Sequence, residues 1–295
     1  MTLQAMKGVR VLSLSLNLPG PAALMRCHQM GAKCVKLEPP SGDPMGLYDK
    51  TAYAQMHAGV RVINADLKTE QGQRVLHREL AITDVLLTSF RPSALNKLGL
   101  SWKALHKQYP ALSMVAIVGA SGSRAEEPGH DLTYMAENDL VPGLDLPTSL
   151  FADMGGSLMT SEAVLQSVLL QRSKNKGVYA EVELSSAAAY LGLPHAWGLT
   201  KPWAAVGGGH AGYRMYACKD GRVAVAALEP HFAAALCALV GVPVESLKTL
   251  FAQQAHERIA AWMMTKTCKQ LDALAVANDI PLHTLSKTTS NTTPA

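Results

Sequence analysis

The chain has 295 residues, 48% of them hydrophobic and 17% charged, and its 27 basic and 23 acidic side chains leave a formal charge of +4 at neutral pH. That length holds one large core or two unequal ones, while the charge excess is too small for the concentrated basic face of a nucleic-acid binder, and no apolar run approaches the roughly 20 residues of a membrane span. The five cysteines, Cys27, Cys34, Cys218, Cys237 and Cys268, are odd in number and widely spaced with no C-x-x-C, which argues for reduced thiols in a cytoplasmic compartment and against a disulfide framework or a zinc site.

Val9 to Ser15 reads as a first strand, its apolar run being too short for a leader peptide. The turn Asn17-Leu18-Pro19-Gly20-Pro21 feeds a helix from Ala22 to about Met30, and Gly31-Ala32 turns into a second strand, Cys34 to Leu37. Val60 to Asn64 makes a third strand ahead of a helix opened by Lys68-Thr69-Glu70. Strands at Asp84 to Thr88 and Met114 to Val118 follow, with helical material from Pro92 to about Gln108 between them. This alternation predicts an α/β fold whose large domain, residues 1–190, holds a parallel doubly wound sheet with helices on both faces. No Gly-x-Gly-x-x-Gly follows any of these strands, so the usual nicotinamide or flavin site is not expected, although the carboxyl ends of a parallel sheet still offer a crevice.

Val178 to Leu184 reads as a further strand, and Ala187 to Leu199 as a helical passage. A glycine-rich turn, Pro202 to Gly209, ends a linker over residues 191–209. A small α+β domain over 210–285 opens with alternating runs, Tyr213 to Ala217 and Val223 to Ala227, joined by Lys219-Asp220-Gly221, whose Asp-Gly pair signals a hairpin. Glu229-Pro230 starts a helix, two more helical stretches run from Val244 to about Thr265 and from Lys269 to Ala277, and residues 286–295 form a polar, loose tail.

Between Pro128 and Glu162 the chain carries His130 beside Asp131 and then, 153 − 130 = 23 residues on, Asp153 before Met154-Gly155-Gly156. Apolar residues at Leu158, Met159, Ala163, Leu165, Val168 and Leu169 then mark one stripe of a helix. Asp153 therefore falls at a helix N-terminus, where unpaired N–H groups and the helix dipole favour negative charge. An imidazole and a carboxylate joined by such a loop can share one small site and suit proton transfer. The same pattern also fits a plain N-cap, and the residues alone leave both readings open.

The stretch Gly129-His130-Asp131, Tyr134, then Asp153, Gly155, Gly156 resembles the active-site region of the family III CoA-transferases, the CaiB/BaiF family, and most closely its alpha-methylacyl-CoA racemase branch. Further similarities are Gly20-Pro21, Gly31-Ala32, Glu38 and Pro40, the Asp66-Leu67-Lys68 element, Phe90-Arg91-Pro92 followed by Leu98-Gly99-Leu100, and Tyr213, Tyr216, Asp220, Gly221, Val225, Glu229, Pro230 and Phe232 in the small domain. The resemblance covers roughly residues 8 to 283. It implies an acyl-CoA thioester as substrate and α-proton transfer through an enolate, with His130 and Asp153 on its two faces and Glu229 orienting His130. Backbone N–H groups near Asp153-Met154 would meet the enolate oxygen, and Arg91, Lys68, Asp131, Tyr134 and Gly155 would contact CoA or substrate. It further implies no metal and no cofactor beyond the coenzyme A of the substrate, and an interlocked homodimer in which Glu229 comes from the partner chain. Two alternatives stand beside this reading: CoA transfer between carboxylic acids with Asp153 as nucleophile, and a noncatalytic CoA-binding paralogue.

Overall fold

The computed structural model describes residues 3–243, 246 and 248–286, which divide into two compact units, 1–192 and 193–295. The first unit runs β1 (Arg10–Ser13), α1 (Pro19–Gln29), β2 (Lys33–Glu38), α2 (Met45–Tyr48), α3 (Lys50–Met56), β3 (Arg61–Asn64) and α4 (Glu70–Leu80). It continues with β4 (Val85–Thr88), α5 (Pro92–Lys97), α6 (Trp102–Gln108), β5 (Ser113–Val118), α7 (Asp131–Glu137), α8 (Phe151–Lys174), β6 (Tyr179–Glu183) and α9 (Leu184–Leu191). The six strands form one all-parallel sheet in the order β3-β2-β1-β4-β5-β6. The order reverses between β1 and β4, and the carboxyl ends of the strands flanking that switch point leave a crevice.

Side chains alternate across the pleat, so neighbouring residues of one strand enter different cores. Val11, Val85, Leu87, Val115 and Ile117 pack on one face with Ala23 and Leu24 of α1 and Val164 and Val168 of α8. Leu12, Leu86 and Met114 face the other way, against Leu76, Leu80, Leu95 and Leu105 of α4 to α6. Each fully buried leucine contributes about 1.5–3 kcal/mol relative to exposure, so the near-continuous apolar strands follow from coverage on both faces.

Several boundaries depart from the sequence reading for local reasons. The helical stretch expected over 92–108 is two helices, because Gly99 takes φ +74 and ends the first, while Ser101 caps the second through the Ala104 N–H. The α4 helix starts as expected, with Thr69 accepting the Gly72 N–H at 3.1 Å. The long helix expected just after Asp153 begins at Phe151 instead, so Asp153 lies inside its first turn and does not cap it.

In the second unit a short helix α10 (Leu193–Ala196) precedes an antiparallel sheet β7-β8-β9, formed by β7 (Tyr213–Cys218), β8 (Gly221–Ala226) and β9 (Leu282–Ser286). The hairpin loop is Lys219-Asp220, within the expected Lys219-Asp220-Gly221 connection, with Cys218 opposite Gly221. Helices α11 (Pro230–Val240), α12 (Gln253–Met264) and α13 (Cys268–Asn278) complete the unit around Val223, Val225, Leu236, Ile259, Met263 and Leu271. The expected helix from Val244 is shorter at its start, where residues 244, 245 and 247 lie outside the described residues. Ser286, assigned to the loose tail, instead pairs with Gly221 as the end of β9, and residues 287–295 lie outside the described residues. Among the described residues no helix is long and apolar enough to cross a membrane.

Candidate active site

The crevice at the switch point is a cleft of about 180 Å³. Its floor comes from the segments that leave the strands: Leu16 and Asn17 after β1, Ser89 to Arg91 after β4, and Gly119 after β5. Over it stand His130, Tyr134 and Asp153, so the histidine and the second aspartate of the sequence motif line one cavity.

His130 is the N-cap of α7, with extended backbone at φ −142 and ψ 169. Its N–H donates to Thr133 Oγ1 at 3.0 Å while the Thr133 hydroxyl donates back to the His130 carbonyl at 2.7 Å, which fixes the backbone that carries the ring. The glycine of the Gly129-His130 pair has a packing reason. A Cβ at Gly129 would fall 2.5 Å from the Tyr134 hydroxyl, and one at Gly119 would fall 2.4 Å from it, so the phenol is clamped between two backbones with no room for side chains.

Asp131 reaches the first turn of α8. It is buried, and its Oδ1 accepts the backbone N–H of Asp153 at 2.9 Å. The carboxylate thus caps the first turn of α8 from another segment, satisfying a donor that the helix itself leaves unpaired. Asp131 thereby acts on the position of Asp153. One expectation is overturned: the Asp153-Met154 N–H groups are not available for an enolate oxygen, because Asp153 N–H is held by Asp131 and Met154 N–H donates to the Leu150 carbonyl at 3.0 Å.

Asp153 is the electrostatically unusual residue. Burial pushes its carboxyl from 3.8 up to about 6; the Asp131 charge adds to the rise, and the His130 imidazole opposes it. Burial also raises Tyr134, with Asp153 as the next cause. A carboxyl titrating near 6 beside an imidazole can give and take a proton close to neutral pH.

The remaining predicted residues separate. Arg91 lines the cleft. Lys68 does not: it borders a different groove of about 910 Å³ with Thr69, Glu70, Arg74 and Lys97, between α4 and α5. Gly155 is buried and faces α9, where an added Cβ would fall 2.9 Å from Leu191 Cδ1; Gly156 likewise makes room for Leu184. The glycine pair lets α8 and α9 approach closely. Glu229 is the exposed N-cap of α11 in the second unit.

The sequence reading missed Asn17, Ser89 and Glu127, all of which line the cleft. Asn17, a non-glycine just past the first strand, takes φ +66, a backbone state that the residue type alone does not announce. It also missed a polar cluster beneath that loop. Lys36 of β2 is fully buried, its Nζ bonded to Asp43, 3.1 Å from Glu38 Oε1 and 2.9 Å from His57 Nε2. Asp43 Oδ1 accepts the Asn17 N–H at 3.0 Å and the Met45 N–H at 2.9 Å. Glu38, Asp43 and His57 are grouped closely enough to hold a cation, and the Lys36 ammonium is the cation among them.

Comparison with known proteins sets this geometry in context. Human alpha-methylacyl-CoA racemase is 29% identical over 262 residues, covering 82% of this chain and 66% of the racemase. Cinnamoyl-CoA:phenyllactate CoA-transferase of Clostridium sporogenes is 34% identical over 149 residues, covering 46% of this chain and 36% of the transferase. The chain therefore spans less than two thirds of the length of these relatives. The crystal structure of Rv3272 from Mycobacterium tuberculosis superposes with a TM-score of 0.82 at 23% identity, covering 96% of this chain and 83% of that one, which is likeness of fold. With the family model matched over residues 6–291, the protein belongs to CoA-transferase family III.

Proposed function

We propose that the protein acts on an acyl-CoA thioester and interconverts the two configurations at a methyl-bearing α-carbon. The α-hydrogen of a thioester is weakly acidic, so the reaction needs a base on one face, an acid on the other, and a site shielded from bulk water. Asp153 takes the proton from one face as a carboxylate. His130 returns one to the other face, and the reverse direction exchanges the roles. Arg91 at the cleft offers a cation to the phosphates of coenzyme A. The scheme uses no metal and no cofactor beyond the coenzyme A of the substrate.

The observation that carries this reading is that His130 and Asp153 line one cleft, with Asp153 shifted to about 6. In the proposed assembly two copies interlock, and Glu229 of one orients His130 of the other. Exposed apolar side chains on α8 and α9, among them Leu158, Leu169, Leu170, Tyr190 and Leu191, offer a face for a second copy. Incubating the purified chain with a 2-methylacyl-CoA in heavy water should place deuterium at the α-carbon. A protein that exchanges no label with any such thioester does not carry this activity.

Asp153 also supports a second reading, and the Clostridium sporogenes relative is named a CoA-transferase. There the Asp153 carboxylate attacks the thioester carbonyl, a C–O bond forms, the C–S bond breaks, and coenzyme A leaves as the thiolate, giving a mixed anhydride. Hydroxylamine trapping at Asp153 without α-exchange selects this reading over the first.

A further inference from the structure

Cys218 and Cys268 stand 50 residues apart in the chain, yet their sulfurs lie 3.6 Å apart. Cys218 ends β7 and Cys268 is the first residue of α13, an 11-residue helix capped by Thr267. Both are buried, at 3% and 8% exposure. The exposed Asp220 in the hairpin loop ties them together: its Oδ1 accepts the Cys268 N–H at 2.7 Å and faces Cys218 Sγ at 3.9 Å. Gly221 clears space for the second sulfur, since a Cβ there would fall 2.9 Å from Cys268 Sγ. The other cysteines differ in setting: Cys27 and Cys34 belong to the apolar core of the first unit, and Cys237 lies within α11.

We propose that Cys218 and Cys268 are an oxidisable dithiol that closes to a reversible disulfide under a hydroperoxide or a small-molecule disulfide. An S–S bond of about 2.05 Å requires the sulfurs to approach by about 1.5 Å, which rotation of two side chains between staggered wells can supply. Cys268 is the attacking group, because it is the less buried of the two and the more open to an oxidant. Its thiol gives its proton to solvent. With hydrogen peroxide, the thiolate takes one oxygen as the O–O bond breaks and hydroxide leaves, forming a sulfenic acid. The Cys218 sulfur then displaces that hydroxyl, the S–S bond forms, and water leaves carrying the second thiol proton. Two thiols are oxidised, the peroxide is reduced to two waters, and atoms balance.

The proton on Cys268 is held firmly: burial is the main cause, with Cys218 and Asp220 adding to it, and its value rises to about 11. Only the thiolate attacks, so closure should be slow at neutral pH and accelerate about tenfold per pH unit between pH 7 and 9. The disulfide would close a loop containing β8, α11, α12 and the candidate residue Glu229.

The test uses the full chain, treated with hydrogen peroxide or oxidised glutathione across that pH range, then denatured, alkylated and mapped by peptide mass spectrometry. The expected result is that two of the five thiols lose reactivity together, that one cross-linked peptide pair joins Cys218 to Cys268, and that dithiothreitol restores both. With Cys218→Ser, glutathione should remain on Cys268 as a mixed disulfide; should that variant not fold, mapping of the unsubstituted chain decides by itself. Five alkylatable thiols after oxidation, a sulfinic acid on Cys268, linkage through other cysteines, or one equivalent of zinc that co-purifies and shields the pair would each overturn the proposal.

Discussion

Around Lys36 charge is buried and answered, whereas Asp153 is a half-buried carboxylate left with a charge of its own sign for a neighbour. Lys36 meets Asp43, Glu38 and His57. Each of these has a second partner: Asp43 takes two backbone N–H groups, Glu38 takes the Tyr53 hydroxyl at 2.9 Å, and His57 Nδ1 reaches the Tyr53 carbonyl at 2.7 Å. Burial, with the Lys36 ammonium acting in the same direction, pushes His57 below its usual range, which keeps Nε2 free to accept from that ammonium. Asp153 rises, first through burial and then through the Asp131 charge nearby. Buried charges that satisfy one another fix a structure, and a buried charge that the fold does not satisfy marks where chemistry is done. The two regions meet at Asn17, held by Asp43 on one side and lining the cleft on the other.

Breaking the answered cluster should have the largest effect. Lys36→Met removes the one cation and leaves Glu38 and Asp43 buried with their like charges facing each other; loss of one partner of a buried ion pair costs about 3–5 kcal/mol. Urea unfolding at neutral pH measures it. A loss below about 1 kcal/mol would mean that water reaches the cluster and that the contrast with Asp153 is false.

Removing the unanswered charge should act in the opposite direction on stability. The folded-state value of Asp153 lies above its unfolded value of 3.8, so its contribution to stability is fully present below about pH 3.8 and is lost as pH rises through about 6. Asp153→Asn should therefore stabilise the protein above pH 6, by up to about 3 kcal/mol and less as solvent enters the cleft, with no gain below pH 4. The same variant should lose α-exchange by about 10²–10⁴-fold. Denaturation midpoints at pH 4 and pH 7.5 check the sign, and equal differences at the two values would show that the carboxyl is not shifted.

The same contrast explains how much could be read from the sequence. The central strands β1, β4 and β5 are legible because burial on both faces makes them apolar runs, and the pairing of His130 with Asp153 in one cleft follows from a motif whose parts keep their spacing. Sequence gives the residue type and not the direction it faces: the Asp131 carboxylate meets a helix end and Gly155 faces α9. The Lys36 cluster was hidden for a different reason. Its members come from β2, the following loop and α3, and only the fold brings them together, although a lysine in the middle of a strand buried on both faces was a visible anomaly. Cys218 and Cys268 likewise meet only through the hairpin and α13, and β9 escaped because its residues alternate weakly beside a polar tail.

The smallest effect sharpens the comparison most, because it separates charge from shape at the residue between the two aspartates and the helix. Asp131→Asn keeps an oxygen able to accept the Asp153 N–H, and Asn caps a helix about as well as Asp, so stability should change by only a few tenths of a kcal/mol. What it removes is the second cause of the Asp153 rise, leaving burial as the first and His130 as the opposing influence. The carboxyl should then titrate lower than about 6 while staying above 3.8, and the acid limb of the α-exchange profile should move to lower pH by the same interval. The displacement reads the repulsion directly, since the cap is preserved. If the limb stays in place while exchange falls, Asp131 acts through the geometry of the α8 terminus alone, and the raised value of Asp153 belongs entirely to its burial.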